Sequence, residues 1–278
     1  MHSGEPRGGT DLREIVTVSD GTRIAVHDYG GSGRPIVLLH GLMGRASTWW
    51  GHARWLADHG RVVALDARGH GGTVAATSGP WSTERFVDDV VAVLEALELA
   101  SAVLIGHSMG GLHAWQTAAT RPDLVDAIVV EDMAPDHRGR TAASWEAWLA
   151  AMPQTFDSIA SVREAFSWPR PSVGDYIVEC VREHSDGYRL ITDHGLAASI
   201  ASEWGERDFW AGVRAVRCPA LLLQAEETPI ASAQMAEMAT QMSDARHVLI
   251  AGTGHLLHDD APGRFRELVT GFLNRTAE

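Results

Sequence analysis

The residues that decide the fold are 101–115, with the sequence SAVLIGHSMGGLHAW. Their first half is a short apolar run typical of a buried strand, and it leads directly into the G-x-S-x-G pattern of residues 106–110. A helix-compatible segment follows, so the pattern lies at a strand-to-helix turn. A turn this sharp admits only small residues at Gly106 and Gly110, and it strains the backbone at Ser108. The sequence predicts a Ser108 hydroxyl that stands clear of a sheet, at the positive end of a helix.

The composition limits the classes of protein that fit. The 278 residues suffice for one large α/β domain with an insertion. A net charge of -13 disfavours nucleic acid and anionic membrane surfaces as partners. The sequence has no apolar run near the roughly 20 residues that span a bilayer, and its polar N-terminus has no signal-peptide pattern. Cys180 and Cys218 are too few for a disulfide framework, so we expect a cytoplasmic protein.

Apolar runs and helix-compatible segments alternate along most of the chain, which predicts a parallel sheet covered by helices on both faces. The predicted strands are Ile15–Val18, Arg23–Tyr29, Ile36–Leu39, Arg61–Leu65, Ala102–Ile105, Ala127–Val130, Pro219–Leu223 and Ala245–Ile250. Predicted helices include residues 48–58, 82–97 and 262–273. Between residues 134 and 216 the strand signals vanish and amphipathic helical segments replace them. We therefore predict a core of residues 1–133 and 217–278 with a helical cap of residues 134–216.

Four short motifs follow predicted strands in a fixed order. They are His40-Gly41, Asp66-x-Arg68-Gly69-x-Gly71, Gly106-x-Ser108-x-Gly110 and Gly254-His255. With these motifs the chain resembles the α/β-hydrolase superfamily over about residues 14 to 275. The resemblance implies the α/β-hydrolase fold, a mostly parallel twisted sheet covered by helices on both sides, with a helical cap inserted after the sixth strand. It also implies a serine hydrolase that needs no cofactor and no metal.

The resemblance assigns roles to four residues. Ser108 corresponds to the nucleophile, and His255 to the base that takes the serine proton during attack. The backbone N–H groups of Met109 and Leu42 correspond to the oxyanion hole. His258 follows His255 by three residues, and we expect a structural role for it rather than a metal pair.

The acid that orients His255 departs from the commonest family pattern. Thr228 stands where many relatives carry an aspartate after the seventh strand. Asp132 follows the sixth strand in a D-x-A-P sequence, which is similar to a branch of small serine esterases and thioesterases. We therefore expect Asp132 to be the acid and Thr228 to assist it by hydrogen bonding. Glu131 and the pair Glu226 and Glu227 remain alternatives.

The motif residues His40, Asp66 and Arg68 are expected to hold their loops in place. An apolar substrate pocket is expected to use some of the abundant tryptophans. The candidates are Trp49, Trp145, Trp148, Trp168 and Trp210.

The predicted reaction is cleavage of a carboxylic ester, or a related acyl bond, of a small apolar molecule through an acyl-enzyme. A carbon–carbon bond hydrolase, a lactonase and a thioesterase share the same triad and remain alternatives. A relative that binds a ligand without turnover is an alternative of another class. The expected partner is a small-molecule substrate, and the expected assembly is a monomer or a homodimer.

Overall fold

The structure is a computed structural model that describes residues 13–75, 79, 81–139, 153, 155–168, 170–228 and 232–277. The strands in this part of the chain are β1 (Arg13–Thr17), β2 (Arg23–Gly30), β3 (Pro35–Leu39), β4 (Arg61–Leu65), β5 (Ala102–His107), β6 (Val125–Glu131), β7 (Val181–His184), β8 (Gly187–Leu190), β9 (Ala220–Ala225) and β10 (Ala245–Ile250).

A short 3-10 turn, Ala46–Trp49, precedes the first α-helix. The α-helices are α1 (Trp50–Leu56), α2 (Thr83–Ala96), α3 (Met109–Thr120), α4 (Ile159–Phe166), α5 (Pro171–Val178), α6 (His194–Glu206), α7 (Trp210–Ala215), α8 (Ser232–Gln241), α9 (Leu257–Asp260) and α10 (Pro262–Thr276). In the described ranges, the structure contains no helix with the length and apolar character needed to cross a membrane.

Eight strands form one sheet in the order β1-β2-β4-β3-β5-β6-β9-β10. Strand β2 is antiparallel to both β1 and β4. The other six strands of this sheet, β4, β3, β5, β6, β9 and β10, pair with one another in parallel. Strands β5 and β9 are buried along their whole length. This explains their continuous apolar sequences, because a parallel strand covered on both faces has no solvent side.

Two apolar clusters cover the two faces of this sheet. Helices α2, α3, α7 and α8 pack on one face through residues such as Phe86, Trp115 and Met238. Helices α1, α9 and α10 pack on the other face with Trp49 and Phe265. The α/β-hydrolase fold predicted from the sequence is the fold that the structure has.

The described part of the segment between β6 and β9 packs on the loops that follow β3 and β10, at the carboxyl ends of those strands. Its helices α4, α5 and α6 contribute to a third apolar cluster. Met43, from the loop after β3, and Leu256, from the loop after β10, belong to the same cluster. The segment is not wholly helical, because β7 and β8 form a separate two-stranded antiparallel sheet. The sequence did not reveal this hairpin, since both strands have four residues and none of their residues is buried.

The reversal at the end of β5 depends on a glycine in α3. A Cβ on Gly110 would collide with the main-chain carbonyl groups of Leu39 and His40. Gly271 lies in α10 and a Cβ there would meet no atom within 4 Å. The two glycines therefore offer a matched pair of helical positions, one crowded and one open.

We expect Gly110→Ala to lower the free energy of unfolding by about 3 kcal/mol or more, because backbone atoms cannot yield as a flexible side chain does. Gly271→Ala should instead raise it by roughly 0.5–1 kcal/mol, since alanine favours a helix and restricts the unfolded chain. Urea unfolding followed by circular dichroism measures both values. Equal effects of the two substitutions would contradict this account of the reversal.

Candidate active site

Ser108 lies at the junction of β5 and α3 with a strained backbone. Its φ is 50° and its ψ is -118°, a conformation that costs a residue other than glycine about 1–3 kcal/mol. Its N–H donates to the carbonyl of Glu131 at 2.8 Å, which fastens the turn to the end of β6. The side chain faces the loop after β3, since a Cβ on Gly41 would lie 3.4 Å from the Cβ of Ser108.

Asp132 follows β6 and directs a fully buried carboxylate at His255. Its Oδ2 accepts a hydrogen bond from Nδ1 of His255 at 2.7 Å and another from the Thr228 hydroxyl at 2.5 Å. Its Oδ1 accepts from the N–H of Ala225 at 3.0 Å. Because an ionised carboxylate can only accept, Nδ1 of His255 carries the proton and Nε2 is left with a free lone pair. The predicted residues Asp132, Thr228 and His255 are thus brought together.

The alternative acids have other partners. Oε2 of Glu226 accepts the N–H of Gly252 at 2.8 Å. Oε2 of Glu227 lies 2.8 Å from Nη2 of Arg170. Glu131 points away from His255 and pairs with His258, as described next.

Glu131 and His258 form a second buried acid–histidine pair beside the first. The Glu131 carboxylate accepts from Nδ1 of His258 at 2.8 Å and from its backbone N–H at 3.0 Å. Burial alone would lower the pKa of His258, but the charge and hydrogen bonds of Glu131 outweigh it and raise that pKa to about 9. The ring also stacks on Trp49, with 4.7 Å between centroids. His258 is therefore a charged structural residue, and the described residues contain no group of three or more side chains that could hold a metal.

His107 connects the serine turn to the loop that carries His255. Its Nε2 donates to the carbonyl of His255 at 2.9 Å, and the two rings lie 4.7 Å apart. Burial holds the pKa of His107 well below its usual range, so the ring is neutral and keeps this single donor role. The G-H-S-M-G sequence gave no signal for this contact, because it depends on a residue nearly 150 positions away in the chain.

The loop after β3 is held by two buried histidines. His40 donates from Nδ1 to the carbonyl of Gly41 at 2.7 Å and accepts from Ala67 at 3.0 Å. Nε2 of His70 accepts the N–H of Met43, a residue with a φ of 65°, at 3.1 Å. Burial lowers the pKa of His70 to about 3, which keeps that nitrogen an acceptor.

The two backbone N–H groups expected at an oxyanion hole are those of Met109 and Leu42. Met109 is the first residue of α3, so its N–H has no acceptor within the helix. Among the described residues, the N–H of Leu42 also has no hydrogen-bond acceptor. Two such donors suit an oxygen that acquires negative charge.

The motif after β4 supports the same loops. Asp66 accepts from the N–H groups of Ala46 and Gly72, both at 2.6 Å. Burial would raise its pKa, but the neighbouring His27 side chain and these two bonds keep that pKa below the usual range. Arg68 forms a buried bidentate pair with Asp89 at 2.7 and 2.6 Å. Both motif residues therefore have the structural contacts that we expected.

The tryptophans predicted to line a pocket occupy several environments. Trp49 is 1% exposed and packs against His258, so its indole belongs to the core. Trp210 is half-buried against the core cluster on the α3 side of the sheet, whereas Trp168 is 87% exposed. Trp145 and Trp148 lie outside the described residues. Sequence reasoning instead missed Tyr176, whose buried ring lies 6.1 Å from that of His107.

The Glu131–His258 pair predicts a pH-dependent stability. The folded-state pKa of about 9 exceeds the ordinary value of 6.5, so the folded protein binds this proton more tightly than the unfolded chain does. The stabilisation is complete below pH 6.5 and is lost as the pH rises through about 9. We expect the free energy of unfolding to fall by an amount on the order of 2–3 kcal/mol over this interval.

Urea unfolding at a series of pH values measures this fall. The matched variant is Glu131→Gln, which keeps the size of the side chain and removes the charge that raises the pKa of His258. Its stability should be lower at neutral pH and should change less with pH. If the wild type and Glu131→Gln show the same pH dependence, the pair is not its source.

Comparison with known proteins places the chain among relatives of this architecture. The family model described as alpha/beta hydrolase fold matches residues 34–262. The 2-(acetamidomethylene)succinate hydrolase of Mesorhizobium japonicum is 27% identical over 88% of this chain and 89% of its own length. Esterase YbfF of Escherichia coli is 26% identical over 86% of this chain and 93% of its own length.

A solved structure gives the same result at the level of the fold. The crystal structure of an E-2-(acetamidomethylene)succinate hydrolase matches with a TM-score of 0.85 and 22% identity, and the match covers 95% of this chain and 99% of that chain. The match to the family model extends over most of the sequence, including all four motifs. The chain belongs to the alpha/beta hydrolase fold family.

Proposed function

We propose that the protein is a serine hydrolase that cleaves a carboxylic ester of a small apolar molecule through an acyl-enzyme. The observation that carries the proposal is the 2.7 Å hydrogen bond between the buried Asp132 carboxylate and Nδ1 of His255. This bond selects the tautomer in which Nε2 can accept a proton. The esterase relative from Escherichia coli supports an ester as the bond that is cleaved.

In the acylation step the Ser108 hydroxyl attacks the carbonyl carbon of the ester while Nε2 of His255 removes its proton. The Asp132 carboxylate offsets the positive charge that develops on the imidazole ring. The carbonyl oxygen becomes negatively charged and accepts hydrogen bonds from the N–H groups of Leu42 and Met109. The tetrahedral intermediate then collapses, and the imidazolium gives its proton to the departing alcohol.

In the deacylation step a water molecule takes the place of the alcohol. Nε2 of His255 removes a proton from the water as it attacks the acyl group on Ser108. The second tetrahedral intermediate releases the carboxylic acid and restores the serine hydroxyl. The same base and the same oxyanion donors serve both steps, so the cycle needs no group beyond the side chains and backbone named here.

The apolar cluster over the loops supports an apolar substrate. Leu42, Met43 and Leu256 come from the core loops, and Leu256 is the direct neighbour of His255. Phe156 and Phe166 pack on them from the inserted segment. The relative that is named for a substituted succinate makes a charged acid the rival substrate class. Thioesters, lactones and carbon–carbon bonds are the rival bonds, and a binding protein without turnover is the rival class of function.

A fluorophosphonate probe tests the nucleophile directly. Purified wild-type protein should be labelled, and Ser108→Ala should not be labelled. The turnover of Ser108→Ala should be lower by about four to six orders of magnitude. The rate is measured with p-nitrophenyl esters of acetate, butyrate, benzoate and succinate. Higher kcat/KM for butyrate and benzoate than for succinate is expected. An unlabelled wild type would favour the binding protein, and a preference for succinate would overturn the apolar assignment.

Three substitutions test the acid with matched changes. Asp132→Asn preserves shape and removes the charge that orients His255, so turnover should fall by roughly 10⁴-fold. Thr228→Val removes one hydrogen bond to that carboxylate and should cost only about 1 kcal/mol of activation free energy. Glu131→Gln should lower stability more than turnover. If Glu131→Gln is inactive and Asp132→Asn has nearly normal turnover, the acid that orients His255 is Glu131.

A further inference from the structure

A carboxylate at the end of α9 joins the loop of His255 to the inserted segment. We call residues 251–256, between β10 and α9, the histidine loop. The side chain of Asp260 is 7% exposed, and both of its oxygens are engaged. Oδ2 accepts the backbone N–H of Gly254, the residue before His255, at 2.6 Å. Oδ1 accepts the Ser172 hydroxyl of α5, also at 2.6 Å.

Arg170 strengthens the same junction from the start of α5. Its Nη1 lies 3.5 Å from Oδ2 of Asp260 and its Nη2 lies 2.8 Å from Oε2 of Glu227. Its aliphatic stem covers Gly254, because a Cβ on that glycine would lie 2.6 Å from Cδ of Arg170. The histidine loop is therefore held on one side by Asp260 and covered on another by Arg170.

The other end of α5 reaches the loop that follows β3. A Cβ on Gly44 would collide with the Tyr176 hydroxyl, so this tyrosine packs directly on the backbone of that loop. Between these two points, a pocket of about 540 Å³ opens beside α5. Its lining includes Ser172, Tyr176, Thr48 and Asp259. The apolar side chains of α5 pack with Met43 and Leu256, and such contacts are non-directional, so the polar contacts of Ser172 and Arg170 select where α5 lies.

We propose that Asp260 is a positioning residue that transmits the placement of α5 to His255 through the backbone of Gly254. The inference rests on the proposed role of His255 as the base. A shift of α5 moves the Ser172 hydroxyl, the carboxylate follows its donor, and the N–H of Gly254 follows the carboxylate. His255 is the next residue, so the orientation of its ring toward Ser108 depends on whether α5 is seated. Misplacement by about 1 Å can reduce a catalytic rate by roughly 10²-fold.

The bridge requires a side chain at position 260 that bonds both the N–H of Gly254 and the hydroxyl of Ser172. Asp260→Ala removes both acceptor oxygens, so the N–H of Gly254 and the hydroxyl of Ser172 each lose their partner. Asparagine would not break the bridge, because its Oδ1 can accept from Gly254 while its NH₂ donates to the hydroxyl oxygen of Ser172. Ser172→Ala breaks only the side of the bridge in α5 and leaves Asp260 on Gly254. Ser172→Thr keeps the hydroxyl and is the conservative variant that should rescue function.

The test compares these variants with Asp175→Asn as the matched control. Asp175 lies on the same helix and pairs with Arg163 near the surface, 2.6 Å from its Nε. Each variant is assayed with p-nitrophenyl acetate after titration of active sites with the fluorophosphonate. We expect kcat to fall by roughly 10- to 100-fold in Asp260→Ala and about tenfold in Ser172→Ala, with KM unchanged. Ser172→Thr and Asp175→Asn should match the wild type.

A spectroscopic measurement separates positioning from a loss of stability. The low-field proton NMR resonance of the Nδ1–H of His255 reports its hydrogen bond to Asp132. It should shift or broaden in Asp260→Ala and in Ser172→Ala and stay unchanged in Asp175→Asn. If both bridge variants keep the wild-type kcat and resonance while Ser108→Ala is inactive, the proposal is overturned and the esterase assignment stands. If the wild type is not labelled, the esterase assignment fails, and the resonance alone decides whether Asp260 positions His255.

Discussion

The close approach of three backbone segments at the end of β5 is the constraint on which the rest of the structure depends. A Cβ on Gly106 would collide with the Gly110 carbonyl, and one on Gly110 would collide with the Leu39 carbonyl. No side chain separates β3, β5 and α3 at this point, so their relative positions are fixed by direct backbone contact. The strained Ser108 and the loop after β3 consequently face each other. The position of the serine is thus set by this packing of the core together with the hydrogen bond of its N–H to Glu131.

Two adjacent carboxylates at the end of β6 hold two histidines that are three residues apart. Glu131 ends β6 and Asp132 follows it with a left-handed φ of 47°, so the chain turns between them and the two carboxylates serve different partners without competing. Both are fully buried, a state that is costly for a carboxylate without hydrogen bonds. Glu131 is satisfied by the charged His258, and Asp132 by Thr228, Ala225 and His255. The Glu131–His258 pair also fixes the start of α9, so the histidine loop is anchored at both ends.

Local patterns in the sequence predicted the core well and the inserted segment poorly. Strand β10 has the predicted bounds, because its apolar run and the glycines after it are local features. The preference for Asp132 over its neighbours came from the resemblance to one family branch, and the hydrogen bond to His255 agrees with it. The β7–β8 hairpin was missed because its residues are only partly buried or exposed, which removes the apolar alternation that marks a strand. The burial of Trp49 against His258 was also missed, since a stacking partner more than 200 residues away leaves no local signal.

The core and the inserted segment between β6 and β9 differ in the kinds of contact that they make. Ser108, Asp132 and His255 all follow strands of the sheet, so the inserted segment supplies none of them. That segment adheres to the core through apolar contacts around Met43 and Leu256, which stabilise many relative placements almost equally. Hydrogen bonds have preferred lengths and angles, so only polar contacts can select one placement among these. Such polar contacts meet at Asp260, which accepts from Ser172 of the insertion and from Gly254 beside His255, so the placement of the insertion is tied to the histidine loop.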